Sequence, residues 1–266
     1  MNVKEVIDYI KKIAPFSDMF GEIPSDDSIV FGDENNIVKG IGVTWSATID
    51  VLKRAEKENL NLIITHEFLF WGYSETIWFQ SDRDILKRRP NALRHEILQR
   101  NNMTVYNTHK NWDAVASWGM CDAFPKLLGF EKEIARGRFI RVHEIQPTKA
   151  GKLAETIKEK MKLPVIRIAG NPERKITKVA TAVGGLGQIY GIAEEPARLG
   201  AEAIVFGEAV DYTIRYCVEN DMVAIETSHV LSENPGVENL AKKLKEKFKN
   251  TKVLFLDAGY PFNEVR

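Results

Sequence analysis

The segment Ile37-Val38-Lys39-Gly40-Ile41-Gly42-Val43, followed by helical periodicity over 48–58 and then by Leu62-Ile63-Ile64-Thr65-His66, reads as a β-α-β unit. A second helix-like stretch over 84–100 leads through Asn101-Asn102-Met103 to a strand at 103–106 and the turn Asn107-Thr108-His109, which extends the order to β-α-β-α-β. The same order returns from Lys178. A strand runs through Val183, 189–199 is helix-like, Ala203–Phe206 is a strand, 209–219 is helix-like, and Asn220-Asp221-Met222 opens a strand ending near Glu226. The Asn-x-Met step recurs in both copies, so the order reads as an internal duplication.

Between the copies, Arg138–Ile145 alternates like a strand, Thr148–Met161 has helical spacing and Pro164–Ala169 reads as another strand, which makes a connecting α/β insert. The predicted fold class is α/β, with two pseudo-repeated lobes of mostly parallel sheet and outer helices. The lobes are 1–130 and 131–266, the second including the insert. Parallel sheets of this kind place ligands beyond the carboxyl ends of their strands, so the residues that matter should stand just after strands.

Composition bounds the rest. The 266 residues carry 37 Lys+Arg against 37 Asp+Glu, and 44% are apolar, which excludes disorder and supplies a core. Zero formal charge argues against broad nucleic-acid or anionic-membrane binding. The two cysteines, Cys121 and Cys217, have neither a disulfide framework nor thiolate-zinc spacing, and a reducing cytoplasm is expected. Val3, Val6, Ile7, Ile10 and Ile13 describe an amphipathic first helix rather than a secretory segment, and no later run approaches the roughly 18 apolar residues of a membrane span.

Three of the five histidines fall where the strand-end rule points. They lie in Thr65-His66-Glu67, in His109-Lys110-Asn111-Trp112-Asp113 and in His229-Val230-Leu231-Ser232-Glu233. In the last two the carboxylate follows by four residues, one helical turn, which brings it to the side of the imidazole. Imidazole and carboxylate together suit Zn, Mn, Fe or Co without thiolates. Trp45, Trp71 and Trp112 flank these segments, and Phe68, Phe70, Trp71, Tyr73, Trp78 and Phe79 crowd one loop that suits either subunit packing or a pocket wall. Gly184-Gly185-Leu186-Gly187, between a strand and a helix, reads either as a phosphate-facing loop or as a tight turn needing positive φ.

These segments resemble the Nif-three-like dinuclear-metal family, many of whose members are called GTP cyclohydrolase I type two homologues. The family pattern runs THHP, YxxHxxxD, AVGGG, GE and GHxxSE. Here it is matched by Thr65-His66-Glu67, Tyr106 through His109 to Asp113, Ala182-Val183-Gly184-Gly185, Gly207-Glu208 and His229 through Glu233, over about 37–266. The resemblance implies two divalent ions held between the lobes by His66, Asp113, His229 and a bridging Glu233. It also implies a ring-shaped homohexamer whose metal sites open on an internal cavity.

Two departures stand out. Glu67 replaces the family's second histidine, and either takes its place as a ligand or turns away. Ala209-Val210-Asp211-Tyr212 replaces the Lys-His-His continuation after Gly207-Glu208. With Glu67 as ligand, three carboxylates against two divalent ions favour Mn or Fe over a nitrogen-rich zinc site. His109 is then either a proton shuttle or the residue that orients Asp113. The expected activity is metal-dependent hydrolysis of a nucleotide-like or phosphorylated small molecule. The alternative is a non-enzymatic metal store, metallochaperone or ring scaffold.

Overall fold

A computed structural model describes residues 1–15, 27–70 and 85–263. In chain order it begins α1 (Val3–Ile13), β1 (Ser28–Phe31), β2 (Gly40–Thr44), α2 (Ile49–Lys57), β3 (Leu62–Thr65), α3 (Arg89–Arg100), β4 (Thr104–Asn107) and α4 (Lys110–Asp113). It continues α5 (Met120–Leu128), β5 (Lys132–Arg136), β6 (Arg141–Lys149), α6 (Ala150–Met161), β7 (Arg167–Ala169) and β8 (Lys175–Ala182). The last elements are α7 (Glu194–Arg198), β9 (Ala203–Phe206), α8 (Asp211–Glu219), β10 (Val223–Glu226), α9 (His229–Lys247) and β11 (Lys252–Phe255). They form two compact units, Met1–Val115 with Val237–Ala258, and Ala116–Gly236 with Gly259–Arg266. The chain passes from the second unit back to the first within α9.

The first unit holds a five-stranded sheet in the order β1-β4-β3-β2-β11. Its parallel strands β2, β3 and β4 are buried along their whole length, which is why they read as continuous apolar runs rather than alternating ones. Thr44 pairs with Thr65, and Thr65 with Asn107, so these strands end level and the residues that follow leave one edge together. Helix α1 is closed at its start by a capping box between Asn2 and Glu5 and buries Val3, Val6, Ile7 and Ile10.

The second unit holds six strands in the order β5-β6-β8-β9-β10-β7. The repeat strands β8, β9 and β10 are parallel, and Ala182, Phe206 and Glu226 end level. The insert strands pair antiparallel at the flanks, with β6 on β8 and β7 on β10. The register of β6 shifts between Glu144 and Thr148, around Pro147, which cannot donate to a ladder. The helix expected over 189–199 shortens to Glu194–Arg198, because Gly191 at φ +82° turns the chain before it. The stretch expected to be helical over 84–100 is a 3₁₀ turn at Ile85–Lys87 followed by α3, residue 84 lying outside the described residues.

The duplication extends to the helix ends. In both Asn-x-Met steps the middle residue is left-handed, Asn102 at φ 45° and Asp221 at φ 59°. The methionine N–H then reaches back, Met103 to the Leu98 carbonyl at 3.0 Å and Met222 to that of Cys217 at 2.8 Å. This is the helix stop that short Asn and Asp side chains tolerate, so the recurring step marks the place where helix turns into the last repeat strand.

Candidate metal centre

In the first unit, the level ends of β2, β3 and β4 deliver Trp45, His66 and Thr108-His109. The Trp45 carbonyl accepts from the His66 and Glu67 amides at 3.2 and 2.7 Å, which bends the chain sharply after β3. Asn107 Nδ2 donates to the His66 carbonyl at 2.8 Å and to that of Glu67 at 3.1 Å. The His109 amide and the Thr108 hydroxyl both donate to the Asp27 carboxylate, at 2.9 and 2.8 Å, and so clamp the turn after β4. Sequence patterning gave no sign of Asp27, which belongs to no motif and acts across about eighty residues of chain.

On this platform the donor atoms of His66, His109 and Asp113 all lie within 4.8 Å of one another. His66 is buried; its Nε2 is 3.5 Å from Asp113 Oδ1, and its ring centroid is 4.4 Å from that of His109. Asp113 closes the short helix α4, whose first bond runs from the Asp113 amide to the His109 carbonyl at 3.0 Å, so the four-residue spacing does become one helical turn. Glu67 turns toward His109, with Oε1 at 3.9 Å from Nε2. Phe68 is 48% exposed and lies 6.5 Å from the His109 ring, centroid to centroid. Of the other aromatics in that loop, Phe70 packs on the core, whereas Trp71, Tyr73, Trp78 and Phe79 lie outside the described residues.

In the second unit, the level ends of β8, β9 and β10 deliver Gly184, Gly207-Glu208 and the start of α9. His229 Nε2 is 3.2 Å from Glu233 Oε2, again one helical turn on, and Glu233 is buried. Ser232 ties this turn to the glycine loop: its Oγ donates to the His229 carbonyl at 2.7 Å and accepts from the Gly184 amide at 2.9 Å. Gly184 has φ +59°, and a Cβ there would lie 1.9 Å from Glu233 Oε1. The glycine loop is therefore a tight turn that makes room for a carboxylate, with the Gly184 amide committed to Ser232 rather than turned to a phosphate.

The donor chemistry in both units suits a cation. His66 Nδ1 lies 3.2 Å from the Thr108 carbonyl oxygen, and His229 Nδ1 lies 2.9 Å from Glu208 Oε1. Both partners only accept, so each Nδ1 carries a proton and each Nε2 faces a carboxylate oxygen, that of Asp113 or of Glu233. Two lone pairs at such a distance call for a positive charge between them, either a proton or a metal ion.

The remaining functional-looking residues have structural settings. His143 is buried on β6, 6.0 Å from the Phe130 ring. Cys121 and Cys217 are both buried, and burial pushes the Cys217 thiol up to about 12. Among the described residues, no helix is long and apolar enough to cross a membrane.

Comparison with known proteins agrees with this architecture. A GTP cyclohydrolase 1 type 2 homolog of Clostridium acetobutylicum is 27% identical over 259 residues, covering 92% of this chain and 90% of the relative. A hypothetical protein of Staphylococcus aureus shares the fold at TM-score 0.80 and 18% identity, covering 100% of this chain and 99% of that one. A Bacillus cereus protein related to NIF3 shares it at TM-score 0.79 and 14% identity, with the same coverage. The profile of one family matches residues 1–259, and the chain belongs to that family, Duf34/NIF3 (NGG1p interacting factor 3).

Proposed function

We propose that the protein is a metal-dependent hydrolase that holds two divalent ions, Mn, Fe or Zn, and acts on a nucleotide-like or phosphorylated small molecule. The observation that carries this reading is the repeated donor geometry, an imidazole with Nδ1 engaged and Nε2 facing a carboxylate in each unit. The name of the Clostridium relative supports a hydrolytic class of chemistry on a nucleotide. The ligands in this reading are His66, Glu67 and Asp113 from the first unit, and His229 and Glu233 from the second. Bound at such donors, divalent ions supply Lewis acidity and a water acidified toward neutral pH.

The chain's own residues do the rest. His109, whose side chain is 28% exposed, is the most accessible of the three histidines and is placed to hold or move a proton at Nε2, with Glu67 beside it. Phe68 offers an apolar contact next to that imidazole. Asp27 and Ser232 keep the two histidine segments in place.

Metal content of protein purified without chelators, followed by turnover of a panel of nucleotides and phosphomonoesters with Mn, Fe and Zn, tests the reading. Both should be lost in the His66→Ala/His229→Ala double variant. Activity that survives the double replacement would overturn the metal mechanism. Tight metal binding with no turnover of any panel member would leave a metal store or scaffold and remove the hydrolase.

A further inference from the structure

Glu208 stands where the family-like Gly-Glu pair ends β9, and its surroundings give it a defined task. Its amide donates to the Gly184 carbonyl at 3.0 Å, and the next residue, Ala209, bridges to Gly187. Gly207 before it cannot carry a Cβ, which would lie 2.4 Å from the Gly184 oxygen and 2.6 Å from Ser232 Oγ. The backbone at 207–209 is thus pressed against the glycine loop, and the Glu208 side chain leaves from a fixed point. Its Oε1 meets His229 Nδ1 at 2.9 Å and also accepts from Gln188 Nε2, the side chain that follows the glycine loop.

From this we infer that Glu208 is a positioning residue for a metal ion held by His229 and Glu233. Its carboxylate accepts the Nδ1 proton, fixes the ring plane and strengthens the Nε2 lone pair, and Gln188 braces it from the other side. The inference rests on the metal reading above. It has a physical rationale: an imidazole free to rotate presents Nε2 correctly only part of the time, and an anionic partner on the far nitrogen makes the near one a better donor.

The test uses the full-length protein and zinc as probe. Zinc affinity is measured by competition with a chromophoric chelator, and the His229 ring nitrogens of the zinc-loaded protein are read by ¹⁵N NMR. The wild type should show zinc on Nε2 and the proton on Nδ1. Glu208→Ala should weaken zinc binding by about 10–100-fold. Glu208→Gln, which keeps an acceptor but not the charge, should recover part of that loss, and Gln188→Ala should cost a few-fold. Should Glu208→Ala fail to fold, as judged by its circular dichroism, Glu208→Gln and Gln188→Ala still decide. Zinc affinity unchanged in both, or zinc on Nδ1 in the wild type, would overturn the positioning role while leaving the metal reading standing. A wild type that takes up no zinc, manganese or iron overturns the metal reading itself, and the role with it.

Discussion

His66 and His229 are aimed in the same way but fastened differently. In the first unit the far nitrogen is held by a main-chain carbonyl, that of Thr108, and the imidazole is buried. In the second it is held by a side chain, Glu208, whose own side chain is 38% exposed. A carbonyl belongs to the fold and no single substitution deletes it, whereas a carboxylate can be exchanged, so the first arrangement is robust and the second adjustable. The supports differ in kind as well. Asp27 anchors the first by accepting two hydrogen bonds, and the glycine loop and Ser232 anchor the second by close packing.

The contrast can be broken from the packing side first. Gly184→Ala places a methyl against Glu233 and forces a non-glycine residue to φ +59°, costing about 1–2 kcal/mol in backbone strain. Metal affinity at His229 and Glu233 should fall by about 100-fold or more in calorimetric titration. Unchanged affinity would mean that Glu233 does not need the space. The first unit's counterpart is Asp27→Ala, which deletes two hydrogen bonds to a charged acceptor. A destabilisation of about 3 kcal/mol in urea unfolding is expected, along with weaker binding at the His66 group. Ser232→Ala should cost less, about 1–2 kcal/mol, because it removes one hydroxyl that bonds the Gly184 amide and the His229 carbonyl.

Acid sharpens the view of the second unit. Burial holds the His143 imidazole below its ordinary value near 6.5, so the unfolded chain binds a proton there before the folded one does. Stability should therefore decline as pH drops through about 6.5 and below. Glu133 and Asp122 favour the charged ring, and Arg141 and Arg136 oppose it. His143→Phe should flatten this slope in thermal melts between pH 7 and 5, and an unaltered slope would assign it to other groups. The smallest effect is expected at Thr108→Val. The hydroxyl is lost but the carbonyl that holds His66 stays, so metal affinity should remain within about two-fold while stability drops by about 1 kcal/mol.

Much of this was legible along the chain. Strands β2, β3, β4 and β9 are buried along their whole length, and the histidines stand just past strand ends because level ends bring the next residues to one edge. The Asp113 and Glu233 spacings were readable because each becomes a helical turn. Other features carried no local signal. β1 and β11 are four-residue strands whose places depend on partners far away in sequence, and Asp27 acts through the turn at 108–109 without any pattern of its own. Gly207-Glu208 was visible as a motif, but its bond to Nδ1 exists only once β9 and the start of α9 lie side by side.

The pairing of β11 with β2 has a consequence for how the polypeptide matures. Lys252 sits opposite Gly40, about two hundred residues upstream, so the outer edge of β2 has no neighbour on that side until about two hundred further residues have left the ribosome. A nascent chain halted before Lys252 would expose a raw, apolar strand edge, the kind of surface that chaperones shield and that invites misassembly.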